Sequence, residues 1–597
     1  MTLSISASSL AAKHKSMDGT DNRTSMPVRW LNGLFWSLLA LCLGLLLTPL
    51  WIGIAPPLSD FTGHAAMADI WVNYDKVPHY REHFIKAGWW VPNVLPMHFC
   101  KLVYPWLSVI TALRIWLTVS LLLTVVSLLE LGRVFGRSRW LIFPALPFLW
   151  NSSLYLGFVN YVPILPLVFF GLALTRKSRD SERFGEVHWL LLCFGMIAYF
   201  IHGMGWCIVV MASGGMGILS LSFRQLVRVG LAWLPSAAVW LTWYATRKSH
   251  IDGQAGAIPG LDSAALATSS IEYPSAFVRM SLFFDHGLNI AVSSADTNVF
   301  MALLAVIAVI LIALKRPDGH APDSRVAATT ADSAPNASFW ATLERDMLEH
   351  PLLLLWLFWG ACVYLLPVSI NGVMLSTRFV PCFFLTMPFL VRGHRFSPIS
   401  SAALASSIVI CLVFGGLLIN WSLRFNQREL KPMHAALELV PEGAQVDCVG
   451  MDWVSAVFTH WPLMHTCRGL AHTQRKAKGH GGFARDSFNA VMFSKRYHPP
   501  LIDLHRFKAG LGVQSLDYAI VRDGITPPKG LAEHVQSFTG TRHGSAVYSL
   551  YRVRREPEFQ PGTGFVCEGY NHSAQALGAL CPDPFDASRR STPQAMP

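Results

Sequence analysis

Long apolar runs, separated by short polar and basic clusters, recur along the first 420 or so residues of the chain. A helix needs about 20 residues to cross roughly 30 Å of hydrocarbon, and the runs reach that length. The pattern predicts eleven spanning helices. They run from Leu31 to Ile54, from about 104 to 131, then as a pair from Trp140 to Leu174 broken near "NSSLYLGFVNY". Two more fall within 187 to 221, and others at 229 to 245, 298 to 314 and 350 to 368. A tenth reaches Arg392 and the last covers 398 to 420. The runs are continuous and rich in Leu, Val, Ile, Phe and Trp, whereas a spanning β-barrel needs short alternating segments, so a polytopic helical bundle is expected.

Composition agrees: 52% of the 597 residues are apolar and 14% charged, the balance of a membrane protein. The formal charge of +12 lies in short clusters between the apolar runs and forms no extended stripe, which excludes a nucleic-acid surface. The clusters mark topology instead. Lys13, Lys15, Arg23 and Arg29 precede the first run, Arg133, Arg137 and Arg139 follow the second, and "TRKSRD", Arg224 with Arg228, Lys315 with Arg316, and Arg392 with Arg395 recur at alternate ends. Basic loops stay in the cytoplasm, and an odd number of spans then puts the N-terminus inside and the C-terminus outside. The expected setting is a bacterial inner membrane with a periplasmic C-terminal domain. Residues 1–30 read as a disordered cytoplasmic N-terminus, 31–422 as the transmembrane domain with a first external loop at 55–104 and a cytoplasmic linker at 315–348. Residues 423–556 read as a small extracytoplasmic α/β domain with strand-length runs "AQVDCVGM", "DYAIVRDG" and "SAVYSLYRV", and 557–597 as a mostly disordered tail. Four of the 11 cysteines, Cys448, Cys467, Cys567 and Cys581, fall in the external part, where three disulfide pairings are open. No Walker loop, CxxC, HExxH or GxSxG is present.

Candidate chemistry begins at "LSDFTGHAAMADIW" in the first external loop. If this stretch is helical, Asp60 and His64 share one face and Asp69 points away. Two roles stand open for Asp60: a carboxylate working with the imidazole, or a helix N-cap with His64 merely beside it. The other polar candidates fall on the same expected external side: Asn93 in the first loop, Asn151, Asn160 and Tyr161 at the break of the third and fourth helices, His202 at the end of the fifth and Arg378 at the start of the tenth. Each has a bland alternative. His202 could be a packing residue, Arg378 a snorkelling anchor, and Asn160 and Tyr161 partners for backbone groups freed at the break. Glu130 pairs economically with Arg133, and Asp447 and Asp452 have no evident partner in the sequence.

"DFTGHAAMADIW", "WWVPNVLP", "LGFVNYVPILPL", "AYFIHGMGW" and "LPVSINGVMLSTRFVP", in that order over about residues 30 to 420, resemble a group of bacterial multi-span proteins similar to the GT-C superfamily of membrane glycosyltransferases. The resemblance implies transfer of a sugar from a polyprenyl-phosphate donor to a cell-envelope glycan, lipid or protein on the outer face of the membrane. Asp60 would be the base for the acceptor hydroxyl, and Arg378 would stabilise the departing lipid phosphate. His64, Asn93, Asn160, Tyr161 and His202 would bind substrate. Better-known members place a second acidic residue close to the first; His64 takes that place here, which leaves a divalent cation an open question. The alternative is a transport or non-catalytic component, a flippase or assembly subunit, of a polysaccharide export system.

Overall fold

The computed structural model describes residues 28–179, 184–255, 271–313, 351–370, 373–391, 396–450, 455–479, 491–493, 502, 504–510, 513–541 and 544–554. The N-terminal segment, the 315–348 linker and the tail beyond 554, with Cys567 and Cys581, lie outside them, as does Asp452.

Among the described residues, six helices are long and apolar enough to cross a membrane: Arg29–Leu50, Val109–Val134, Gly203–Ser220, Phe223–Thr246, Ala295–Ala313 and Pro398–Glu438. Two shorter apolar helices, Gly185–Ile201 and Pro351–Leu365, stand among them. The chain is a polytopic helical membrane protein. These helices carry exposed apolar side chains, such as Trp36, Leu123, Leu234 and Ile312, which hydrocarbon gives no reason to hide.

Two expected spans take another form. The Trp140–Leu174 run does not hold two helices: it consists of the 3₁₀ turns Arg139–Ile142 and Leu146–Leu149, the single turn Ser152–Tyr155 and one helix, Ile164–Lys177. Pro144, Pro147 and Pro163 each remove a backbone donor, and Gly157 adopts φ +77°, so the apolar run cannot continue as one helix. The segment is buried among its neighbours, where side chains can satisfy the freed backbone. Asn151 does so: its Nδ2 donates to Phe148 O at 2.8 Å and its Oδ1 accepts from Ser153 N at 3.0 Å. The tenth expected span is likewise a short helix, Val380–Thr386, running into a 3₁₀ turn, Met387–Leu390, with Pro381 and Pro388 breaking the pattern. Glu130 takes Arg133 at 2.7 Å, as its spacing predicts, and Lys177 as well.

The last membrane helix, Pro398–Phe425, does not end at a linker. It continues through a π-helical turn, Asn426–Leu430, into Lys431–Glu438, and the strand Val446–Val449 follows eight residues on. That strand pairs in parallel with Tyr518–Arg522, which pairs antiparallel with Val547–Val553, which pairs antiparallel with Ala532–Thr539. The three strand-length runs seen in the sequence are three of these four strands.

This sheet domain is not a separate appendage. The strand Phe84–Lys86 of the first loop pairs antiparallel with Val491–Phe493 of the domain. The loop helix Phe61–Asn73 packs on the domain helix Thr466–Arg475 so closely that an added Cβ on Gly469 would lie 2.3 Å from Thr62 O. Lys476, held at φ +48°, places its Nζ 2.5 Å from Asp69 Oδ1. Asp69 also accepts from Tyr80 Oη and Asn73 Nδ2, each at 2.9 Å. Segment 457–460 of the domain is threaded beside the chain after the Ala276–Leu288 helix, with Val292 N donating to Val457 O at 3.0 Å and Thr459 N to Ile290 O at 2.9 Å. A Cys448–Cys467 disulfide ties the first strand of the sheet to the docking helix.

Candidate functional site

Asp60 stands at the N-cap position of the loop helix Phe61–Asn73, yet its carboxylate makes no capping hydrogen bond. Its backbone is pinned from behind: Asp60 N donates to Leu156 O at 3.0 Å and Ser59 N to Tyr155 O at 3.1 Å. Gly157 permits this approach, since a Cβ there would come within 2.7 Å of Asp60 N. The side chain is turned away from the helix end and faces His465, whose Nε2 lies 3.7 Å from Asp60 Oδ1. Both side chains keep slight exposure, 17% for Asp60 and 15% for His465.

Arg378 supplies the positive charge. It is buried in the 3₁₀ turn Ser376–Phe379, and its guanidinium lies over the rings of Phe158 at 4.6 Å and Tyr161 at 4.9 Å. Two further bonds fix it: Nε donates to Met374 O at 2.9 Å, and Tyr161 Oη donates to Arg378 O at 2.6 Å. Tyr161 meets the His202 ring edge-on at 5.7 Å. His202 accepts a bond from Gly205 N on Nδ1 at 2.9 Å, capping the Gly203–Ser220 helix, so a neutral ring carries its proton on Nε2.

Burial sets the electrostatics here. It pushes the Asp60 carboxyl up to about 7, with the Arg378 charge pulling the other way. His64 is lowered to about 3 by burial, then by the neighbouring His465 and Arg378. His465 is lowered to about 4 by burial and by Arg468. At neutral pH, then, both histidines are neutral, Arg378 is the cation, and Asp60 is poised to exchange a proton. A role for His64 as a phosphate-binding cation does not fit this setting.

Polar atoms on the same residues and their neighbours are buried without a hydrogen-bond partner: Arg378 Nη1, Thr377 Oγ1, Asn160 Oδ1 and Ser59 Oγ. Buried polar groups are rarely left so, and these are groups that a phosphate or a sugar would satisfy.

The sequence candidates therefore divide. Asp60, His64, Tyr161, His202 and Arg378 are brought together, with Asn160 beside Tyr161. Asn93, at φ +64°, lies on a loop that Tyr199 Oη holds through Trp90 O at 3.0 Å and whose Pro92 lies against Gly203, next to His202. Asp69 belongs to the domain lock described above. Asp447, without a visible partner in the sequence, is structural: Oδ1 accepts from Arg468 Nε at 2.6 Å and Oδ2 from Ile502 N at 3.2 Å. Sequence reasoning missed His465, and also His460, whose Nε2 donates to Pro57 O at 2.7 Å and whose ring lies 5.0 Å from Tyr155. The one available signal was "THWPLMHTC", two histidines five apart just ahead of a cysteine. As for a divalent cation, no three His, Cys, Asp or Glu side chains gather to hold one among the described residues. The one carboxylate of the site has a guanidinium as its electrostatic neighbour, so these residues do not fit a bound cation.

No family model matches the chain, and no curated protein matches it. Among solved structures, it is similar to a cryo-EM structure of a mutant of the arabinofuranosyltransferase AftD from mycobacteria, at 13% identity and a TM-score of 0.43. The match covers 89% of this chain and 42% of that one, so the chain spans less than half the length of that protein. A likeness this distant fixes neither fold nor activity.

Proposed function

We propose that the protein is an integral-membrane glycosyltransferase that moves a sugar from a polyprenyl-phosphate donor to a cell-envelope acceptor on the external face of the inner membrane. The observation that carries this reading is the carboxylate of Asp60. It occupies a helix-capping position without capping, and is instead turned toward Arg378 and His465 with its proton affinity held near neutrality. A carboxylate that only capped a helix would spend its oxygens on backbone N–H groups and titrate low.

In the reaction, ionised Asp60 takes the proton of the acceptor hydroxyl as that oxygen attacks the anomeric carbon, and the bond to the lipid phosphate breaks on the other side. Charge grows on the departing phosphate. Arg378, fixed by two aromatic faces and two hydrogen bonds, is the preorganised group to receive it. Nε2–H of His202 is a neutral donor on the same side. Asn160 Oδ1 and Thr377 Oγ1 are available to sugar hydroxyls.

The test is release of polyprenyl phosphate by the full-length protein in lipid, across a panel of polyprenyl-phosphate sugars, for wild type and Asp60→Asn at equal folded yield. Turnover by the wild type with a loss of at least about a thousandfold in the variant is expected. Turnover that survives Asp60→Asn refutes the assignment of the base. No turnover with any donor, together with full complementation of a deletion strain by Asp60→Asn, refutes the transferase.

A further inference from the structure

We infer that His465, from the external C-terminal domain, is a positioning residue for Asp60, so that the site is complete only with that domain docked. This deepens the transferase reading and rests on it for the word site, though not for the interaction itself.

Four observations converge on His465. It stands at the N-cap position of the Thr466–Arg475 helix and, like Asp60, makes no capping bond there. Its Nε2 is the atom nearest the carboxylate, at 3.7 Å. Its backbone is clamped from within the domain by the Cys448–Cys467 disulfide, by Arg468 Nε on Asp447 Oδ1 at 2.6 Å and by Thr466 Oγ1 on Pro462 O at 2.5 Å. Its helix is clamped to the Asp60 helix by Gly469 against Thr62 and by Lys476 on Asp69. Two helices that each carry one member of a facing pair are thus fixed to each other at two points along their contact. An interface with no purpose at the site would not need both cap positions turned toward each other.

The groups facing Asp60 are Arg378 and His465 from the domain, with His64 one turn on in its own helix; Arg468 and His64 face His465 in turn, and His202 and Tyr161 face Arg378. A neutral His465 with its proton on Nε2 presents N–H to the carboxylate. That dipole favours the ionised form, which is the form a base requires. The separation of 3.7 Å is longer than a formed hydrogen bond, and bonds of this kind tighten when substrate closes the site. His465 takes no proton in the chemistry; it sets the orientation and affinity of the group that does.

Two readouts test this in the full chain in lipid nanodiscs. The first is infrared difference titration of the Asp60 carboxyl band, identified by its loss in Asp60→Asn, which needs no substrate. His465→Ala is expected to raise the titration midpoint by about one pH unit, and His465→Gln, which keeps a donor, to restore most of it. The second is the pH profile of turnover: the acidic limb of kcat moves up by the same amount in His465→Ala, with kcat about fivefold lower at pH 7 and KM for the donor unchanged. A midpoint unmoved in His465→Ala, with the domain still docked by limited proteolysis, overturns the inference. Should that variant fail to fold, the wild type decides: the ¹⁵N resonance of one histidine Nε2 must shift across the Asp60 titration and stay still in Asp60→Asn, and its absence overturns the inference equally. Failure of the transferase reading is distinct, since it leaves the titration moved and turnover absent.

Discussion

Gly469 offers a sharp test of how the C-terminal domain is held. It lies one turn beyond His465 on the docking helix, and an added methyl group would meet Thr62 O at 2.3 Å, Thr62 C at 2.5 Å and Thr62 Cβ at 2.7 Å. Two of those atoms are backbone within the first turn of the Asp60 helix, so no side-chain rotation relieves the clash. Ordinary contact begins at 3.4 Å, and the two helices must therefore part by about 1 Å. The Asp69–Lys476 pair and the adjacent strand pairing oppose that movement, and the cost falls in the overpacking range of about 1–3 kcal/mol. Because His465 rides on the same helix, its distance to Asp60 grows with the separation. Gly469→Ala should thus lower equilibrium stability in mixed detergent micelles by about 1–3 kcal/mol, and turnover should fall further than the folded fraction explains. The control is Gly416, in the last membrane helix, where an added Cβ meets nothing within 4 Å. Gly416→Ala should be neutral or stabilising by up to about 1 kcal/mol, from helix propensity alone. A Gly469→Ala protein with wild-type stability and wild-type turnover would refute the close docking, and with it the coupling of domain to site.

Further outcomes follow from the same structure. Asp60 binds its proton more tightly folded than unfolded: as pH rises from 3.8 to about 7 the unfolded chain has lost the proton and the folded one has not, so its contribution to stability falls across that window and stays low above it. Asp60→Asn should therefore be more stable than wild type at pH 8, by up to about 4 kcal/mol, and the difference should vanish near pH 4. On the proposed transferase reading, wild-type turnover should rise with pH through about 7 as Asp60 ionises, read as the acidic limb of kcat. Lys476→Met should cost about 3 kcal/mol at pH 8, by leaving Asp69 buried without its cation, and less as pH falls, because burial, which raises the Asp69 carboxyl, then favours its neutral form. Replacing Cys448 and Cys467 by Ser opens a disulfide across a sequence separation of 19 and should cost about 3 kcal/mol, measured by denaturation without reductant.

Much of the frame was legible because lipid imposes a simple rule on helices. Apolar length predicted Val109–Val134, Ala295–Ala313 and the last membrane helix to within a few residues. The rule failed where the chain is apolar but surrounded by protein: around Pro144, Pro147 and Pro163 no lipid demands a complete helix, and hydropathy cannot tell a buried irregular segment from a span. At the site, helical spacing alone placed His64 beside Asp60 and sent Asp69 elsewhere, because both facts are local. The partner of Asp60 was illegible for the opposite reason. His465 is about 400 positions away, and no periodicity or charge pattern reports a contact made by docking one soluble-looking helix onto another.

That sequence distance also bears on how the protein is made. Asp69 and Lys476 are 407 residues apart, and His460 lies 403 residues from the Pro57 carbonyl it holds. At roughly 5–20 residues per second, a ribosome that has finished the first loop needs about 20–80 s more to reach the helix that covers it. Throughout that interval the loop helix waits with a carboxylate committed to a cation not yet synthesised. A chain stopped between about residues 440 and 475 carries all the described membrane helices, the last of them Pro398–Phe425, but a permanently unmet Asp69, which gives quality-control proteases a way to recognise an unfinished molecule.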